Sequence, residues 1–81
     1  KFVRYMSGTD AEVIEYVVAP GARITKGALK DISFPRNAIV GGVIRGSEGY
    51  IAVGDTTIEA YDRVAVFALP EAVKEVDRFF K

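Results

Sequence analysis

The 81-residue chain contains no cysteine and no histidine. Without thiols there can be no disulfide framework, no thiolate nucleophile and no zinc–sulfur site. Without imidazole there is no triad using His as base and no imidazole metal ligand. Net charge is lacking too, since 11 Lys plus Arg oppose 11 Asp plus Glu. That balance removes the long-range field by which nucleic-acid binders and membrane-surface modules draw in their partners, so recognition must rest on shape and local contacts. No stretch reaches the roughly 18–20 consecutive apolar residues of a membrane-spanning helix, and no basic-then-apolar leader opens the chain, which is therefore expected to be soluble. Low-complexity segments and repeats of about 20 residues or more are also missing. The length leaves room for one hydrophobic core. Because it opens on Lys1 rather than Met, the chain is read as a piece of a longer protein.

What it does have is apolar surface. Hydrophobic residues make up 49% of the chain, whereas a domain this small buries only roughly 60% of the surface its unfolded chain exposes. Part of that surplus is expected to serve a partner.

Glycine and proline supply the punctuation. Residues 12–19 (EVIEYVVA) collect β-branched and aromatic side chains and end at Pro20-Gly21, which predicts a strand and a turn. Ahead of them, residues 1–11 mix a few apolar side chains with Ser7, Gly8, Thr9 and Asp10 and read as a connector. Thr25 is placed to cap a short helix over residues 25–31, with Leu29 and Ile32 facing the sheet. Phe34-Pro35 stops that helix, because a residue before proline is pushed out of the α region. The apolar runs 38–45 and 49–53 flank Gly46-Ser47-Glu48 and predict a hairpin. Residues 56–60 read as a short ladder segment, and the nearly continuous apolar run 62–69 as the strand at the sheet centre. Pro70 then opens a closing helix with Val73, Val76 and Phe80 along one stripe. The predicted fold is α+β: a small mixed, mostly antiparallel sheet of about four strands, with two helices packed on one face.

Few groups could carry chemistry. Asp55, Glu59 and Asp62 form the best carboxylate cluster, but Asp55 between Gly54 and Thr56 is what a turn requires and Asp62 opens a strand, so the cluster is read as structural. Lys26, Lys30 and Lys74 sit in polar or helix-surface contexts. Gly41-Gly42 and the glycines at 46 and 49 lack the strand–loop–helix setting and the Gly-Lys-Ser/Thr of a phosphate loop. Arg36 and Asn37 stand between the helix stop and the apolar strand. There a cation beside Ile39 and Val40 could hold a nucleotide's phosphate and base. Phe79-Phe80 is read as one ring packed inward and one at an interface edge.

Two segments, EYVVAPGARITKGALKDISFPRNAIVGGVIRG and GDTTIEAYDRVAVFALPEAVKEVDRFF, resemble the TrkA C-terminal (RCK_C) domain across residues 12–80. The resemblance rests on an ordered series: Leu29-x-x-Ile32, Phe34-Pro35, Ala38-Ile39, Gly54-Asp55-Thr56, Asp62-Arg63-Val64 and Leu69-Pro70. It implies that residues 12–81 form a non-enzymatic regulatory domain, joined through residues 1–11 to a nucleotide-binding domain upstream. NAD or ATP would bind to that upstream domain, since the chain holds no G-x-G-x-x-G. It further implies a homodimer in the cytoplasm, tied to the inner face of the membrane by a potassium transporter whose pore it biases between two states. A ligand-sensing domain appended to another transporter or exchanger is the alternative. Some members of the family bind cyclic di-AMP in a cleft between paired domains. The corresponding wall would be Phe34, Pro35, Arg36, Asn37, Ile39 and Val40, although Arg36 alone does not reproduce the Arg and Asn pattern of those members. Tyr61 stands where the family commonly has Gly before Asp-Arg, which predicts a different turn there.

Overall fold

The computed structural model describes all residues from Lys1 to Lys81. The chain forms five strands, β1 (Phe2–Tyr5), β2 (Glu12–Val17), β3 (Ala38–Arg45), β4 (Glu48–Ile51) and β5 (Arg63–Ala68), and buried side chains recur at alternate positions in β2 and β5. They form one sheet in the order β1-β2-β5-β3-β4, and every neighbouring pair is antiparallel. The α+β class and the central position of the apolar 62–69 segment are as expected. A mixed sheet is not: all pairings are antiparallel, and there are five strands rather than four.

The fifth strand is β1. Residues 1–11 are not merely a connector, because Phe2–Tyr5 pairs along the free edge of β2, with Val3 opposite Ile14. The predicted hairpin forms with a two-residue turn at Gly46-Ser47, and Arg45 pairs with Glu48. Gly46 has φ +62 and Ser47 is not in the left-handed region. A glycine at the first central position is what a type II′ turn demands.

The first predicted helix does not exist. Residues 23–31 instead form two isolated 3-10 turns, Arg23–Thr25 and Leu29–Asp31, separated by Lys26, Gly27 and an extended Ala28 (φ −66, ψ 150). Backbone contacts with a distant loop displace it. Ala28 bridges Thr57, the Leu29 N–H donates to the Thr56 carbonyl at 2.9 Å and the Lys30 N–H to the Gly54 carbonyl at 2.9 Å. Thr25 caps nothing, since its hydroxyl donates back to the Ala22 carbonyl at 2.7 Å. Residues 56–60 contribute only that single bridge and not a ladder.

At the other end Pro70 opens a 3-10 turn (Pro70–Ala72) that runs into the only α-helix, α1 (Val73–Phe79). One sheet face, carrying Ile14, Tyr16, Val18, Val43, Val64 and Val66, is closed by Ile24, Ile58, Val76, Phe79 and Phe80. Both terminal rings lie in this core, so the expectation that one of them sits at an interface edge is corrected. Phe80 stacks on Tyr16 at 4.2 Å between centroids, and Phe79 meets Phe34 edge-on at 5.2 Å. Burying two rings in place of one adds ~150–250 Å² of contact area, a large gain for so small a core. No helix is long and apolar enough to cross a membrane.

Candidate functional site

The groove that the predicted residues help to form owes its existence to an unpaired strand edge. Strand β4 pairs only with Gly42–Arg45, and the Ala52 N–H to Gly41 carbonyl bond at 3.1 Å is its last contact with β3. The chain then turns away. Thr56 fixes that turn, its N–H donating to the Val53 carbonyl at 3.0 Å while its hydroxyl accepts from the Val53 N–H at 3.0 Å. Ala38, Ile39 and Val40, paired on one side with β5, therefore face open space on the other. The 3-10 turn at Leu29–Asp31 stands across from them, held there by its bonds to Gly54 and Thr56.

The groove measures about 270 Å³, and seven of its nine lining residues are hydrophobic. Phe34, Ala38, Ile39 and Val40 form one wall; Leu29, Lys30 and Ala52–Gly54 form the other. Lys30 is its only charged lining residue, and its ammonium pairs with Asp55 at 2.8 Å with both side chains exposed. An exposed pair of this kind contributes little to stability, in the range of ~0–1 kcal/mol, so Lys30 can exchange Asp55 for another anion at small cost.

The predicted segment is not one continuous wall. Phe34, Ile39 and Val40 line the groove, Pro35 is buried, and Arg36 and Asn37 turn outward. Arg36 is exposed and takes part in none of the ion pairs. Asn37 adopts φ +67, a conformation its short amide tolerates, and donates to Glu71 at 3.1 Å. A carboxylate at that distance opposes binding of an anion by Asn37. Sequence reasoning missed Lys30 as a groove residue, and Ala52–Gly54 altogether. The Leu29-x-x-Ile32 spacing pointed to their neighbour, but only the Ala28–Thr57 bridge brings the second wall into place.

The carboxylate cluster is structural, as read. Asp62 is 2% exposed and accepts the Arg45 guanidinium through both oxygens, Nε at 2.9 Å and Nη2 at 2.8 Å. It also accepts the Glu59 N–H at 2.8 Å. Arg45 reaches Glu59 at 3.2 Å and the Thr57 carbonyl at 3.0 Å, while Asp55 is held separately by Lys30. Hydrogen bonding from Arg45 holds the Asp62 carboxyl below its ordinary value against the opposing effect of burial. These groups pin the end of β3 to the 59–62 turn and leave no free carboxylate pair for acid–base work. That turn keeps the shape a glycine would give it. The Asp62 N–H donates to the Glu59 carbonyl at 3.1 Å, and Tyr61, at the third position, is held at φ +69. Asp62 and the Tyr61 N–H to Val18 carbonyl bond at 2.8 Å over-determine the backbone and hold Tyr61 in this left-handed conformation.

Residues 13–81 match the TrkA-C domain. The chain belongs to the TrkA-C domain family. It is 37% identical over 76 residues to the Trk system potassium uptake protein TrkA homolog 1 of Methanosarcina mazei, covering 94% of this chain and 17% of that protein. To the TrkA homolog of Archaeoglobus fulgidus it is 34% identical over 79 residues, covering 98% of this chain and 18% of that protein. The chain thus spans under a fifth of the curated relatives it matches. A solved RCK domain with cda superposes with a TM-score of 0.73 at 23% identity, covering 85% of this chain and 97% of that one, which establishes the shared fold. TrkA-C domains are regulatory rather than catalytic, in agreement with the expectation of no enzymatic activity.

Proposed function

We propose that the chain is the regulatory, self-pairing domain of a potassium uptake protein, cytoplasmic and coupled to a membrane transporter through the rest of its polypeptide. The observation that carries this reading is the family match over residues 13–81 together with 37% identity to a Trk potassium uptake protein. In this reading residues 1–11 lead from an upstream domain that holds NAD or ATP. The TrkA-C domain reports on a second ligand, and a ligand preferring one arrangement of the paired domains shifts the transporter toward the matching state.

The groove is where such a ligand would act. Its apolar walls suit the flat face of a base, and Lys30 is placed to take a phosphate. The effector to try first is the cyclic di-AMP implied by the resemblance; the similar solved RCK domain was determined with cda. Arg36 and Asn37 lie outside the groove and would not be the groups that hold it. Isothermal titration of the chain with cyclic di-AMP tests this, with Lys30→Ala as the comparison. Saturable heat that the variant weakens by about tenfold supports the groove, a loss of ~1.4 kcal/mol. Absence of heat at millimolar ligand removes cyclic di-AMP as the effector. Potassium-limited growth of cells whose full-length protein lacks residues 12–81 tests the wider reading: uptake indifferent to the deletion would count against it.

A further inference from the structure

At the start of the chain one carboxylate ties three elements together. Strand β1 lies at the edge of the sheet and pairs only with β2, and of its four residues Val3 alone is partly buried, packing against the core. A turn containing Gly8 at φ +80 joins the two strands, and across it the Met6 N–H donates to the Ala11 carbonyl at 3.1 Å. Ahead of β1, the Lys1 ammonium reaches helix α1 and donates to both oxygens of Asp77, at 3.0 and 3.1 Å. The buried Tyr16 of β2 donates its hydroxyl to the same carboxylate. An edge element held by one short ladder and one partly exposed ion pair is of the kind that opens ahead of the rest of a fold.

From Asp77 an unbroken set of contacts runs to the groove. Asp77 stands in the last turn of α1, and its carbonyl accepts the Phe80 N–H at 3.2 Å, while the Phe80 carbonyl accepts the Ala19 N–H at 3.1 Å. The Phe80 ring stacks on Tyr16, so Tyr16 meets Asp77 through its hydroxyl and the aromatic cluster through its ring. Phe34, a wall of the groove, meets both terminal rings edge-on, Phe79 at 5.2 Å and Phe80 at 6.3 Å between centroids. Rings at such separations hold one another in a preferred orientation, and a close-packed core switches between discrete arrangements instead of bending. We infer that Asp77 is a positioning residue that latches the first strand to the groove: with Lys1 bound, the rings of Tyr16, Phe80, Phe79 and Phe34 hold the wall in one place, and release of β1 frees it. This role rests on the reading of the groove as the ligand site and of residues 1–11 as the lead from an upstream domain. A displacement of that domain reaches Phe34 through Lys1 and Asp77, and a ligand seated against Phe34 acts back on β1 to the same degree.

The test is amide hydrogen exchange and the aromatic NMR spectrum of the chain, with Lys1→Ala to open the latch and Lys74→Ala as control. Lys74 is exposed on the same helix and takes part in none of the ion pairs, so its removal changes the charge equally without touching Asp77. Both substitutions lie outside the core, and the fold does not depend on either side chain. Lys1→Ala should speed exchange across β1 by up to about fivefold, the span set by a partly exposed ion pair, and should move the Phe34 ring signals. Lys74→Ala should do neither. Unchanged exchange in β1 overturns the latch, faster exchange with Phe34 signals unmoved overturns its coupling to the groove, and equal effects of the two variants reduce both to net charge. Because no ligand takes part, each of these failures is distinct from a failure of the groove to bind cyclic di-AMP.

Discussion

The two faces of one sheet are built from alternate residues of the same strands, and both are apolar, yet only one is a core. On the inner face Ile14, Val64 and Val66 are fully buried. On the outer face Ile51 is 83%, Ile39 64% and Val17 58% exposed. The chain has enough covering elements for one side: three 3-10 turns, the Ile58 segment and a seven-residue helix. A domain this small cannot cover both, so the same hydrophobicity that stabilises the monomer inside is available for association outside.

Truncation of one isoleucine on each face would break this comparison most directly. At concentrations where the chain is monomeric, Ile14→Ala should cost about 3–4 kcal/mol, the transfer of the lost methylenes plus the cavity they leave, whereas Ile51→Ala should change stability by no more than about 0.5 kcal/mol. Urea unfolding of both variants would read the difference, and equal losses would mean that the faces are not distinct.

Next in size is the ion pair at the inner edge. Asp62→Ala removes the acceptor for Arg45 and for the Glu59 N–H. Arg45 keeps Glu59 and some solvent, so the expected loss is about 2–3 kcal/mol, at or below the low end for breaking a buried pair. Melting temperature alongside Arg45→Met would show whether the guanidinium or the backbone bond matters more.

Acid should loosen this inner side. Arg45 holds Asp62 below its ordinary pKa. For Asp77, burial pushes upward, but hydrogen bonds from Tyr16 and Lys1 outweigh it and its pKa is also lowered. Both groups bind fewer protons when folded, so their stabilisation is complete above the ordinary carboxylate value near pH ~4 and is lost as pH falls through the lower folded values, by up to ~1.4 kcal/mol per pH unit for a single group. Denaturant midpoints from pH 7 to 2 should fall below pH ~4 and fall less in Asp62→Asn; a flat profile would contradict the geometry.

The smallest expected change is a gain. Tyr61 is 73% exposed and sits at φ +69, so Tyr61→Gly should relieve strain and raise stability by about 1 kcal/mol, net of the entropy glycine adds to the unfolded chain. A lower melting temperature would show that the exposed ring has a packing role.

Much of the inner architecture was legible because its signals are local. Pro20-Gly21 ends β2, Gly46-Ser47 makes the hairpin, Pro70 opens the helix, and the unbroken run of β5 marks it as the centre of the sheet. What could not be read involves partners distant in the chain. Phe2–Tyr5 is too short to declare itself a strand and becomes one only on the free edge of β2. Residues 25–31 carry helix-like spacing, but hydrogen bonds to Gly54 and Thr56 hold their backbone in two separate 3-10 turns. Phe34, Ile39 and Val40 line the groove, whereas Arg36 and Asn37 do not. A left-handed Asn37 reverses the chain between Pro35 and Ala38, and backbone sign at one residue is not written in the hydrophobic pattern.

Residue order alone settled the absence of thiol and imidazole chemistry, the charge balance, the strand–turn punctuation and the family to which the chain belongs. These depend on which side chains are present and on neighbours a few positions away. Tertiary structure alone decided which apolar face is covered, where the second wall of the groove stands and that Tyr61 must bear a glycine's conformation. Each of those is fixed by hydrogen bonds and packing between segments far apart in sequence, whose energies exceed the local preferences they override.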